Sequence, residues 1–229
     1  MRDINILVIE DDNDINELLK DILNEEGYKV QSAYSGTEAL IYLSNQTFSL
    51  ILLDLMLPGK SGEEILEEVR KRSSVPIIVI SAKEGKEFRI NAFKNGADDF
   101  IMKPFDVDDV LARVYANLRR ALEFSKNKEE TSELKYKEIQ LNADNREVFV
   151  NGVELALTTR EFDILKLFIE NPRKVFSKGN LFKSIWGENF LCDDNTITVH
   201  VSNLRSKISK VGAKEEYIKT VWGIGYKFD

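Results

Sequence analysis

The stretch "LLDLMLPGKSG" (residues 52–62) decides how this chain is read. It opens as an apolar run, sets a carboxylate at Asp54 where another Leu or Val would fit, and follows with Pro58, Gly59 and Gly62. An unpartnered carboxylate inside a buried strand costs several kcal/mol or about that order. Asp54 must therefore end the strand in a crevice with a chemical task, or carry a partner that hides its charge. Pro58 and Gly59 suit a turn over that crevice, and Gly62 suits a close approach of two backbones.

Outward from this stretch, short apolar runs alternate with helical patterns through residues 1–121. The runs are "INILVI" (4–9), "YKVQSA" (28–33), "LILL" (50–53), "PIIVI" (76–80) and "DFIM" (99–102). Between the first two lies "DINELLKDILNEEG" (14–27), whose Ile15, Leu18, Leu19, Ile22 and Leu23 recur at helical spacing before Gly27 stops the helix. Five such units predict a five-stranded parallel sheet, doubly wound with helices on both faces, of the α/β class.

The polar segment "LEFSKNKEETSE" (122–133) reads as a solvated linker. Residues 134–229 change pattern. "LKYKEIQLN" and "REVFVNGVEL" alternate with period two around the Asn151-Gly152 turn, which predicts an antiparallel sheet. Three helices are expected from "TTREFDILKLFIENP", "SKGNLFKSIWG" and "DNTITVHVSNLRSKISKVG". Two short strands are expected in "YIKTVWGIGYKFD".

The 229 residues carry a formal net charge of −7, all of it in the first half. Residues 1–122 hold 15 basic and 22 acidic side chains, and residues 123–229 hold 17 of each. Residues 195–229 are locally basic, with six Lys and Arg against three acids, so the halves face different partners. No apolar stretch approaches the roughly 20 residues of a membrane span. The N-terminal "MRDINILVIEDD" lacks the pattern of a signal peptide. The single cysteine, Cys192, excludes an internal disulfide and fits a reducing compartment, so a cytoplasmic protein is expected.

In open α/β sheets, function gathers at the C-terminal ends of the strands. Those ends carry Glu10, Asp11 and Asp12, then Asp54, then Ser81, then Lys103-Pro104. One acidic residue after a strand is ordinarily a helix cap. This set on four of five ends is instead a pocket suited to a hard divalent cation. Mg²⁺ fits better than zinc, for which no His/Cys set exists.

With these residues in hand, "ILVIEDD", "LILLDLMLPGKSG", "IIVISAK" and "GADDFIMKPF" resemble the receiver domain of two-component response regulators. "LTTREFDILKLF", "VFSKGNLFKSIWG", "TITVHVSNLRSKI" and "IKTVWGIGYKF" resemble the winged-helix DNA-binding domain of the OmpR/PhoB family. The resemblance spans the whole chain. It implies that Asp54 accepts a phosphoryl group from a sensor histidine kinase. Mg²⁺ would be held by Asp11, Asp54 and the Met56 carbonyl, with Glu10 acting through water. Lys103 and Ser81 would contact the phosphoryl oxygens, and Phe100, where the family more often has Tyr, would rotate inward.

The resemblance further implies a phosphorylation-dependent homodimer, with Arg89 pairing Asp109, Asp98 pairing Arg113 and Asp99 pairing Arg120 across the two-fold axis. Promoter DNA would be met by Asn195, Thr198, Val199, His200, Ser202, Asn203, Arg205, Lys207, Thr220 and Trp222. Ser202, Asn203 and Trp222 stand where Arg is frequent in the family, so a shallow salt dependence is expected. Trp222 packed in the core is an equal reading, and His200 reads as a phosphate contact or a local hydrogen-bonder. Two other classes are disfavoured: a small-molecule phosphatase or phosphotransferase using Asp54, because no second acid/base carboxylate follows it at close spacing and the second half carries a DNA-binding pattern, and a binding module indifferent to phosphate, because the pocket is intact.

Overall fold

The computed structural model describes residues 4–123, 133–187, 194–212 and 216–229; the side chains of residues 120–123 and 194 lie outside this description. The chain divides into two compact units at Ala121/Leu122. Residues 124–132 of the expected linker, and Cys192, fall outside the described residues.

In the first unit, β1 (Asn5–Ile9), β2 (Lys29–Ala33), β3 (Leu50–Leu53), β4 (Ile77–Ser81) and β5 (Asp99–Met102) form one sheet in the order β2-β1-β3-β4-β5. Every pairing is parallel. The helices α1 (Asn13–Glu25), α2 (Gly36–Asn45), α3 (Gly62–Arg70), α4 (Lys86–Lys94) and α5 (Val107–Glu123) follow the strands in turn. The apolar character of β3, and of β4 up to Ser81, has a direct cause: both are buried along their whole length. Burial of each such Leu or Ile side chain is favourable by about 1.5–3 kcal/mol. From α1, Leu19 and Leu23 enter the core while Leu18 stays exposed.

The second unit opens with an antiparallel sheet of β6 (Glu133–Tyr136), β7 (Ile139–Asn142), β8 (Glu147–Val150) and β9 (Val153–Glu154). The β8–β9 turn holds Asn151 and Gly152 at φ 53° and 77°, the left-handed backbone that an Asn-Gly pair adopts readily. Next come α6 (Thr159–Glu170), α7 (Lys178–Trp186) and α8 (Asp194–Lys210), then the hairpin of β11 (Ile218–Val221) and β12 (Gly225–Phe228). Thr158 caps α6 in a reciprocal box with Glu161.

One strand was not expected. β10 (Val175–Ser177) pairs with β12 and completes a three-stranded sheet with β11. Three residues are too few to display alternation, so only the partner strand defines it. The core joins both sheets to the helices through Phe168, Trp186, Tyr217 and Phe228.

Candidate functional site

Parallel pairing brings the expected residues to one edge of the first sheet. Ile9 lies beside Leu53, and the Asp54 amide donates to the Ile9 carbonyl at 2.9 Å. Ser81 lies beside Met102, and the Lys103 amide donates to the Ser81 carbonyl at 2.9 Å. The ends of β1, β3, β4 and β5 are thus in register.

At that edge the Lys103 ammonium donates to Asp54 Oδ2 at 2.5 Å and to both Glu10 oxygens at 2.8 and 2.6 Å. Asp54 Oδ1 accepts from the Met56 amide at 2.8 Å. The buried carboxylate at Asp54 is therefore compensated by an amine and a backbone donor, which resolves the interruption in the apolar run. Burial, reinforced by the neighbouring Asp54 charge, lifts Glu10 to a pKa of about 7, against the opposing pull of Lys103. Burial would lower Lys103, but its bonds to Asp54 and Glu10 outweigh that and raise it.

Carboxylate oxygens of Glu10, Asp11 and Asp54 lie within 4.8 Å of one another, with Asp11 open to solvent. An oxygen-only, partly open donor set fits a hard cation that keeps some of its water. The Asp12 side chain instead caps α1, its Oδ1 accepting from the Asp14 and Ile15 amides. Ser81 is fully buried and its hydroxyl oxygen accepts from the Lys83 amide at 3.2 Å. Phe100 is half-buried on β5. Asn16 went unnoticed in the sequence; buried inside α1, it donates to the Glu10 and Ala33 carbonyls and braces the β1 end of the pocket.

Comparison with known proteins agrees with this geometry. Residues 6–115 match the response regulator receiver domain, and residues 152–228 match the C-terminal domain of transcriptional regulatory proteins. An uncharacterized transcriptional regulatory protein of Bacillus subtilis, YcbL, is 38% identical over 96% of this chain and 98% of its own length. The regulatory protein VanR of Enterococcus faecium is 38% identical over 98% of each chain. The Thermotoga maritima response regulator DrrB, an OmpR/PhoB homolog of known structure, matches over 99% of each chain with TM-score 0.51 and 28% identity.

This chain belongs to the OmpR/PhoB-type response regulators.

As a member of that family it is a two-component response regulator that controls transcription, and its fold is a receiver domain followed by a winged helix. The family is one of regulators rather than typical enzymes. No helix among the described residues is long and apolar enough to cross a membrane.

The structure corrects the dimer face at Asp98. This carboxylate is fully buried, accepting from Arg70 at 2.7 Å and from the Ile77 amide at 2.9 Å. Arg70 also donates to the Gly96 and Val75 carbonyls, so the pair ties the end of α3 to the start of β4. Arg113 bonds within its own chain to Asp99 at 2.6 Å and Asp109 at 2.9 Å. Arg89 on α4 is half-buried, and the Arg120 side chain lies outside the described residues.

On α8, Ile197, Val201, Leu204 and Ile208 form a buried apolar stripe. Two proposed DNA contacts are corrected. His200 and Val199 are buried, with His200 packed 5.5 Å from the Trp186 ring, because both extend the apolar stripe by one helical position. Thr198 and Ser202 are exposed, and Asn195 and Asn203 are half-buried. Ser206 shares the exposed face and was missed; a lone Ser at that spacing carries no signal in the sequence.

Arg205 is committed elsewhere. It donates to the Ile218 carbonyl at 2.8 and 2.6 Å and to Thr220 Oγ1 at 3.0 Å, which fastens α8 to the hairpin. Lys207 bonds the buried Glu161 at 2.7 Å. Trp222, at 90% exposure, stands at the hairpin tip beside exposed Ile224 and does not pack in the core. The two residues help line a cleft of about 540 Å³ that also holds Lys178 and Thr220.

Proposed function

We propose that Asp54 is the phosphoacceptor of this regulator, that the group is donated by a sensor histidine kinase, and that the switched chain dimerises on promoter DNA. The observation that carries this reading is the Lys103 ammonium held between Asp54 and Glu10 at the strand ends, beside the open Asp11.

An Asp54 carboxylate oxygen attacks the phosphorus, the bond from phosphorus to the donor nitrogen breaks, and the imidazole leaves with a proton, giving an acyl phosphate. Asp11, Asp54 and the Met56 carbonyl would hold Mg²⁺, with Glu10 behind them, and the ion would offset charge on the transferred group. Lys103 keeps the carboxylates together before transfer and meets a phosphoryl oxygen afterwards. Ser81 moves its hydroxyl toward the phosphoryl group, and Phe100 fills the space left behind.

In this reading the face of α4, β5 and α5 pairs two copies through Arg89, Asp99, Asp109, Arg113 and Arg120, with Asp99 and Arg113 exchanging partners. Thr198, Ser202, Asn203 and Asn195 face the major groove, which admits one helix. Thr220 and Trp222 meet DNA from the hairpin, and Arg205 sets its angle.

Incubation with phosphoramidate and Mg²⁺, followed by intact mass measurement, tests the proposal. We expect a stable gain of one phosphoryl group that Asp54→Asn abolishes. Continuous turnover of the donor would favour a phosphatase, and no addition would favour a phosphate-independent module.

A further inference from the structure

Two loops rim the acidic pocket: residues 54–61 between β3 and α3, and residues 82–85 between β4 and α4. α3 sits directly on the first, since a Cβ added at Gly62 would lie 2.1 Å from the Asp54 carbonyl oxygen. The next residue, Glu63, reaches the second loop. Its Oε1 accepts from the Lys83 ammonium at 2.6 Å, with both side chains about one-third exposed or less (28% and 33%). The same ammonium lies 5.6 Å from the Phe88 ring centroid on α4. Lys83 also grips the pocket through its backbone, donating to the Ser81 hydroxyl oxygen. The N-cap of α4, Gly85, supplies no side-chain cap.

We propose that Lys83 is a positioning residue, a latch that ties the β4–α4 loop to α3 through Glu63 and holds the Ser81 hydroxyl in its resting orientation. This inference rests on Asp54 being the phosphoacceptor. The Ser81 O–H is free to donate to a phosphoryl group on Asp54 while its oxygen still accepts from the Lys83 amide, so drawing the hydroxyl toward Asp54 pulls on the residue whose ammonium is anchored on Glu63. The ion pair favours the resting arrangement, so it slows phosphorylation and sets how far the unmodified protein samples the switched state. Its partial burial screens it less than a free surface pair, yet the coupling stays modest.

The test uses the full chain with phosphoramidate and Mg²⁺, reading the initial rate of phosphoryl gain by mass. Lys83→Met and Glu63→Gln should each raise the rate about two- to fivefold. The double variant should be no faster than either single one, and Lys83→Arg should keep the original rate. Exchanging the two charges, Glu63→Lys with Lys83→Glu, should restore it. Unchanged single variants, additive effects or failure of the exchanged pair to restore the rate would overturn the latch. A wild-type chain that gains no phosphoryl group would overturn the phosphoacceptor reading beneath it, which is a separable result.

Discussion

Glu10 shows how one residue couples the pocket to pH. Burial raises its carboxyl from 4.5 to about 7, so the metal-free fold retains a proton that the unfolded chain releases. The sign follows from linkage: the stabilising contribution is complete below about 4.5 and is lost as pH rises through about 7. In metal-free protein, Glu10→Gln should therefore gain stability relative to wild type between pH 4.5 and 7.5, read as the difference in urea midpoints. Cation binding requires the ionised carboxylate, so Mg²⁺ affinity should rise across the same window with proton release, measurable calorimetrically in buffers of different ionisation enthalpy. A pH-independent affinity would place Glu10 outside the cation's reach.

Other residues were legible only in part. The charge of Asp54 in an apolar run announced a site, but nothing local told Asp98 from Asp99. Asp98 comes just before β5 and Asp99 opens it, and Arg70, 28 residues away, captures Asp98. His200 misled in the same way, since a polar residue on a half-apolar helix declares no face until Trp186 packs against it.

At the scale of elements, α3 is the piece on which the pocket leans. Its Ser61–Glu64 capping box fixes where it starts, and Gly62 lets its first turn rest on the Asp54–Leu55 backbone. Gly62→Ala would force a Cβ against backbone atoms that cannot step aside. We expect a loss of about 1–3 kcal/mol in the urea unfolding of the first unit, with slower phosphoryl gain at Asp54. Unchanged stability would mean that α3 slides freely. The long, periodic elements were readable because burial imposes a pattern on every residue. β10 was not, because its three residues borrow their identity from β12.

At the scale of the whole molecule, two units of different charge share one chain, an acidic receiver and a neutral winged helix whose basic residues gather near its end. Arg205 and Lys207 are engaged within the fold. In the proposed reading a single copy would therefore not use these two cations on DNA, and a second copy would add its own contacts. The phosphorylated chain should elute as a dimer and bind DNA more tightly than the unmodified chain. Arg89→Glu should block both while Asp54 is still modified, as checked by light scattering and mass. A dimer that survives Arg89→Glu would move the interface to another face.

The sequence by itself determined the alternation of strands and helices, the strand ends that carry acids and a lysine, and the membership of both halves in one family. These features are local, because burial repeats every two or 3.6 residues and a strand end follows from where an apolar run stops. Only the tertiary structure decided that Lys103 bridges Asp54 and Glu10, that Lys83 meets Glu63, that Asp98 turns inward to Arg70, and that Arg205 holds the hairpin. A charged side chain pairs with what lies nearest in space, and that neighbour is set by packing between elements distant in the chain.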